Sequence, residues 1–374
     1  MNTPADMIVF GEDWGRHPSS TQHLVRRLAE RRRVVWVNSI GLRRPRPSRS
    51  DLSRVMSKLL VRRQVSRGSV APPDSISIVP PLAVSWPASQ AAALFNRAVV
   101  GRQVRRAAQQ RGLQAPLLWT SLPSALPLVG SLGERAVVYY CGDDFGALAG
   151  VDHEPVLEME RALVERADLI VAASETLAER FPAGRTLLLP HGADIEMFQD
   201  PVPRASDLPA SGKIAGFYGS VSDWIDVELL ASVAGQLADW TFVMIGDVRT
   251  DVTALSGLPN VRLLGPRAHA ELPAYVQHWT VSLLPFRDCP QIHACNPLKL
   301  REYMAAGTPV VSTPFPALAP FRDLVHVGRS AEAFATAIGC AAQDWRRNLQ
   351  RKAIVSGDSW EARAATLEDA LASL

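Results

Sequence analysis

Cysteine is scarce in this sequence: Cys141, Cys289, Cys295 and Cys340 are the only four among 374 residues, and no Cys-x-x-Cys pair occurs. That scarcity argues against a disulfide-framed secreted scaffold and fits thiols kept reduced in a cytoplasm. Cys289, His293 and Cys295 make only three candidate metal ligands with no second Cys/His pair nearby, so no structural zinc site is expected. No apolar run approaches the roughly 20 residues that a membrane-spanning helix needs. The opening MNTPADMIVFG lacks a basic region followed by an apolar core, so it does not read as a signal peptide. No Asp-x-Asp pair precedes a strand in the manner of a metal-held diphosphate, and neither a metal nor another cofactor is expected. Acidic residues are also few in the first 110 positions, six against 19 Lys and Arg, which leaves a net charge of +13. The remainder carries 31 acids against 21 bases, net −10, so the overall +3 hides two halves of opposite character.

What is present is a globular composition, 47% hydrophobic and 21% charged. A chain of 374 residues is too long for one ordinary core and predicts two domains. Much of the basic excess lies in residues 42–67, with nine bases and one acid, ahead of the uncharged PPLAVSWPASQAAALF at 80–95. Basic residues beside an apolar stretch that contains a tryptophan suit an anionic membrane surface. Nucleic acid attracts arginine too, but no helix-turn-helix, zinc finger or RNP-like aromatic pattern accompanies the charge, so a nucleic-acid partner is not expected. A solvated charged loop is the plain alternative. Arg43, Arg44, Arg62, Arg63 and Trp86 are the candidates for membrane or acceptor contact, together with Trp14 and His17 in the polar loop after the first strand.

Short apolar runs alternate with helical patterns along the whole chain. MIVF (7–10), VVWVN (34–38), ISIVP (76–80), PLLWTS (116–121), AVVYYC (136–141), DLIVAAS (168–174) and TLLLP (186–190) read as buried parallel strands. The Pro-, Ser- and Gly-rich 191–213 interrupts this rhythm as a linker. A second series follows with IAGFYGS (214–220), TFVMIGD (241–247), VRLLG (261–265), VSLLPF (281–286) and PVVST (309–313). The pattern predicts an α/β fold of two Rossmann-like domains facing a cleft, 1–192 and 193–357, with a final helix in 358–374 packing back on the first domain.

In CNPLKLREYMAAGTPVV (295–311), Asn296 is placed to cap a helix, Pro297 suits its first turn, and Gly307 suits its left-handed end. Lys299 and Glu302 are three apart on one face near the positive amino end, where a phosphate can be held. A simple ion pair on a solvated face would use the same residues.

HGADIEMF, FYGSVSDWIDVELL, FVMIGD, NVRLLGPRAHAELPAYVQHWTVSLLPF, NPLKLREYMAAGTPVVST and SWEARAATL fall in order over residues 190–365. Together they resemble the second domain of the GT-B glycosyltransferases, in particular glycosyltransferase family 4; the first half resembles that family only in its strand-helix alternation. The resemblance implies an enzyme that moves a sugar from a UDP- or GDP-sugar to a glycan or lipid-linked glycan acceptor in bacterial surface polysaccharide synthesis. Taken with the arginine-rich, apolar-flanked first domain, it leads to the expectation of a cytoplasmic protein, peripheral on the inner face of the plasma membrane. Lys299 would then contact the donor pyrophosphate or sugar, Glu302 the ribose hydroxyls, and Gly219, Ser220 and Asn296 would complete the donor site. Many retaining members carry a glutamate eight residues before the one matching Glu302, where this sequence has Ala294. The sequence is similar there to xanthan-type glucuronosyltransferases, which invert configuration and share the Lys-Leu-x-x-Tyr core seen in KLREY. By that similarity Asp143, with Asp144 beside it, follows the VVYYC strand as the base that deprotonates the acceptor. One of the two acids could instead cap the loop as an Asx turn. A nucleotide-sugar epimerase of the same fold and a non-catalytic sugar-binding protein are the alternatives.

Overall fold

The computed structural model describes residues 4–15, 19–44 and 71–374; His17, Arg62, Arg63 and most of the basic 42–67 segment lie outside the described residues. The chain divides into two compact units, residues 1–190 with 363–374, and residues 191–362.

The first unit is built on a seven-stranded sheet of β1 (Met7–Phe10), β2 (Val34–Val37), β3 (Ile76–Val79), β4 (Leu117–Thr120), β5 (Ala136–Cys141), β6 (Leu169–Ala172) and β7 (Thr186–Leu188). All neighbours run parallel in the order β3-β2-β1-β4-β5-β6-β7. Its central strands β1, β2 and β4 are buried at every position and apolar at all but Thr120, as in a parallel sheet covered on both faces. Trp36 and Trp119 are wholly buried, and Trp119 stacks on Tyr140 with ring centroids 5.5 Å apart. The Trp360–Leu371 helix supplies Ala364, Leu367 and Leu371 as buried residues, and Glu368 accepts from Arg32.

The second unit carries a six-stranded parallel sheet of β8 (Lys213–Tyr218), β9 (Trp240–Ile245), β10 (Val261–Gly265), β11 (Val281–Leu284), β12 (Val310–Ser312) and β13 (Val325–Val327). The order β10-β9-β8-β11-β12-β13 reverses direction between β8 and β11. Loops diverge at such a reversal, beyond the carboxyl ends of the strands, and ligands bind there. Strand β13 and the Ala331–Ala341 helix that follows it have no counterpart in the sequence reading. Gly216 on β8 packs against the indole of Trp279, and a Cβ there would lie 1.7 Å from a ring carbon.

The helix after β11 spans Leu298–Ala306 and ends at Gly307 with φ 77°, the left-handed terminus expected. Its start differs from the reading. Pro297 occupies the capping position and no side chain caps the helix. The Asn296 side-chain oxygen accepts from the Arg301 guanidinium, a charged donor that outcompetes a backbone N–H. Arg301 also donates to Asp358 at 2.9 Å, which ties the helix to the end of the unit.

Candidate active site

In the second unit, the β8–β11 reversal brings together the turn after β8 and the amino end of the Leu298–Ala306 helix. Gly219 adopts φ 128°, and a Cβ on it would lie 3.1 Å from Lys299 Nζ. Gly246, after β9, adopts φ 143°, and its Cβ would come within 2.1 Å of the Gly219 carbonyl. Both conformations suit glycine, and the absent side chains let two loop backbones and a lysine meet. Ser220 lies in the same turn, with its hydroxyl 3.0 Å from Ser222.

Lys299 is the unusual group. Its ammonium lies 5.4 and 5.6 Å from the ring centres of Phe217 and Phe286, and no described residue offers it a hydrogen bond or an ion pair. Burial lowers its pKa from the ordinary 10.5, against weaker upward pulls from Cys295 and Glu302. A cation held among aromatic faces at an uncapped helix start, beside glycine backbone, is a ready anion site.

One turn on, Glu302 is buried and its carboxylate is in use. One oxygen accepts from the Tyr218 hydroxyl, and the other lies 2.6 Å from His269 Nε2. His269 Nδ1 faces Asp194 at 3.7 Å. Burial pulls the His269 pKa down, but the hydrogen bond to Glu302 and the charges of Glu302 and Asp194 outweigh it, and the net shift is upward. The Tyr303 hydroxyl receives the Tyr218 backbone N–H at 3.2 Å, fixing the end of β8 against the helix. Lys299 and Glu302 do share the helix, but they form no direct ion pair.

In the first unit, Asp143 and Asp144 follow β5 and have different surroundings. Asp144 accepts from the backbone N–H of Gly146 at 2.9 Å and from Arg180 at 2.8 Å, so it is the member that forms the Asx turn. Arg180 also donates to the buried Glu160 at 2.9 Å, and Glu160 accepts from the Tyr139 hydroxyl at 2.6 Å. Asp143 makes no side-chain hydrogen bond or ion pair with the described residues and stays exposed. Protein crowding, then the charges of Asp144 and Glu12, raises its carboxyl above the ordinary value. Trp14 packs edge-on against Trp36, and its backbone N–H donates to Asn38. Arg44 lies over the Trp86 ring, 4.4 Å from its centre. Arg43 is half-buried.

Sequence reasoning assigned no role to Tyr218, His269, Asp194, Gly246, Arg180 or Glu160. The first four stand inside quoted motifs, and their partners lie far along the chain. Cys289, His293 and Cys295 do not converge on a metal: His293 pairs with Asp288 at 2.5 Å, and no group of three candidate ligands gathers among the described residues. Asp288, His293 and Arg329 instead line a depression of about 350 Å³ beside Pro314, Phe315 and Pro316.

Residues 212–344 match the family model for glycosyl transferases group 1. Over 221 residues the chain is 32% identical to TuaH of Bacillus subtilis strain 168, a protein assigned to teichuronic acid biosynthesis as a glycosyltransferase. The match covers 53% of this chain and 55% of that relative, so the chain spans about half the length of the curated relative it matches. Among solved structures, sucrose-phosphate synthase from Thermosynechococcus elongatus superposes with a TM-score of 0.70 at 18% identity, over 99% of this chain and 98% of that one. Anabaena HepE in complex with UDP superposes with a TM-score of 0.68 at 14% identity, over 99% and 100%. Residues 212–344 are thus similar to the group 1 glycosyl transferases, and the chain shares the two-sheet α/β fold of these solved structures.

Proposed function

We propose that the chain is a glycosyltransferase that moves a sugar from a UDP- or GDP-sugar to a glycan or lipid-linked glycan acceptor, in assembly of a bacterial surface polysaccharide. We place the reaction at the cytoplasmic face of a membrane. The group 1 domain, the teichuronic acid relative and the UDP-bound neighbour support this reading. Lys299 carries it: a cation among aromatic rings, with no anionic partner among the described residues, at a helix start where glycine backbone leaves room.

In this reading, Lys299 and the amino end of the Leu298–Ala306 helix take the charge of the departing nucleoside diphosphate, and no metal is required. Each oxygen of Glu302 keeps a second lone pair, so a ribose hydroxyl can be accepted without displacing Tyr218 or His269. Asp143, which makes no side-chain hydrogen bond or ion pair with the described residues, removes the proton from the acceptor hydroxyl. The freed oxygen then bonds to the anomeric carbon as the bond from that carbon to the diphosphate breaks. Asp144 holds the loop through Arg180 and does not take the proton.

A thermal-shift panel of UDP- and GDP-sugars tests the reading. A donor at about 100 times its dissociation constant should stabilise the protein by about 2.7 kcal/mol. Lys299→Ala should abolish that shift; a full response in the variant would remove Lys299 from the donor site.

A further inference from the structure

The Gln90–Gln110 helix contains four arginines and no acidic residue in its 21 positions. Its inward stripe repeats every four residues, with Ala92, Asn96, Val100, Val104 and Ala108 all buried. The opposite face is graded along its length. Leu94 and Phe95 near the amino end are 69% and 45% exposed, and Arg102 and Arg106 are exposed on the same face two to three turns later. The preceding segment extends the apolar end. The Asn96 side-chain amide bonds both the N–H and the C=O of Val84, at 2.8 and 2.9 Å, and Gln103 accepts from the Leu82 N–H at 3.0 Å. The segment is thus fastened along the helix while Leu82, Val84 and Trp86 stay 45%, 38% and 41% exposed. The exposed Arg44 lies across the Trp86 ring at 4.4 Å.

We infer that this face docks on an anionic lipid bilayer, with Leu82, Val84, Trp86, Leu94 and Phe95 entering the headgroup boundary and the arginines meeting lipid phosphates. Leucine, phenylalanine and tryptophan side chains entering the lipid beside an acid-free run of arginines match the charge and polarity order of such an interface. Arginine stems lie along apolar surface while their heads reach phosphate, as Arg44 does on Trp86. The inference names the surface behind the membrane placement proposed above and rests on that placement, but not on the donor chemistry.

The test is cosedimentation of the full chain with vesicles of equal phosphatidylglycerol and phosphatidylcholine, and with phosphatidylcholine alone, at about 0.15 M salt. The wild type should bind the anionic vesicles only. Leu94→Glu/Phe95→Glu should weaken partitioning at least about tenfold, and Arg102→Gln/Arg106→Gln should weaken it and blunt its salt dependence. Each variant should keep the wild-type melting temperature and its nucleotide-sugar shift, so a misfolded variant or a failed donor site is told apart from a failed docking surface. The inference is overturned if the wild type ignores anionic vesicles or if Leu94→Glu/Phe95→Glu binds them fully. It is also overturned if the wild type is a dimer that this variant splits, which would make the patch a contact between copies.

Discussion

Lys299 is held with its proton less firmly than a lysine in water, because burial disfavours the charged form. A diphosphate placed beside it would restore that proton affinity. Nucleotide binding should therefore take up a proton in the alkaline range, and affinity should fall with rising pH at lower pH than an ordinary lysine would dictate. Calorimetry in buffers of different ionisation enthalpy reads this, and Lys299→Arg should remove the uptake because a guanidinium stays charged. Asp143→Asn should cut transfer by roughly 10²- to 10⁴-fold while leaving the donor thermal shift unchanged. Asp144→Asn, which loses an ion pair rather than a proton acceptor, should act mainly through a lowered melting temperature. His269 has its pKa raised above 6.5 by Glu302 and Asp194. A group shifted in that direction stabilises the fold fully below its unfolded value, and the contribution disappears as pH rises through the folded value. His269→Gln should therefore lower the melting temperature of the second unit more at about pH 6 than at about pH 9; equal losses at both would show that the imidazole is not charged there.

The turns after β8 and β9 work as a pair, since Gly219 and Gly246 are each backbone-strained for any other residue and lie against one another. Gly246→Ala would drive a methyl into the Gly219 carbonyl. It should cost roughly 1–3 kcal/mol in stability and weaken nucleotide-sugar binding together with it, as melting and thermal shift measured on one variant would show. These two glycines also mark what could be read in the residues. Strands such as MIVF and VVWV announce themselves because a parallel strand covered on both faces is apolar throughout, and Gly307 announces its helix end because only a left-handed turn is wanted there. The Asn296 cap was misplaced because Arg301, which claims that side chain, becomes a neighbour only once the helix has formed. Which of Asp143 and Asp144 would be fixed depended on Arg180, 36 positions along, and Glu302 meets His269 across 33. Local pattern carries no information about such pairings. Sheet order was hidden for the same reason, since parallel neighbours meet only through crossovers.

At the scale of the whole molecule, the first unit is discontinuous in sequence: residues 363–374 belong to it although the entire second unit comes between. Leu367 and Leu371 are buried, and Glu368 answers the nearly buried Arg32. A chain ending at residue 362 should lose roughly 3–6 kcal/mol of stability in the first unit from the two leucines alone. The second unit should keep its own melting transition and its nucleotide-sugar shift, both visible by calorimetry of the truncated protein. The same discontinuity imposes an order on synthesis. A ribosome starts the amino-terminal sheet first, yet residues 363–374, which pack into that unit, emerge only after the whole of the second unit. The lobe begun first therefore cannot be completed until the second has been made, and until then Arg32 and the apolar seat of Leu367 and Leu371 stay uncovered.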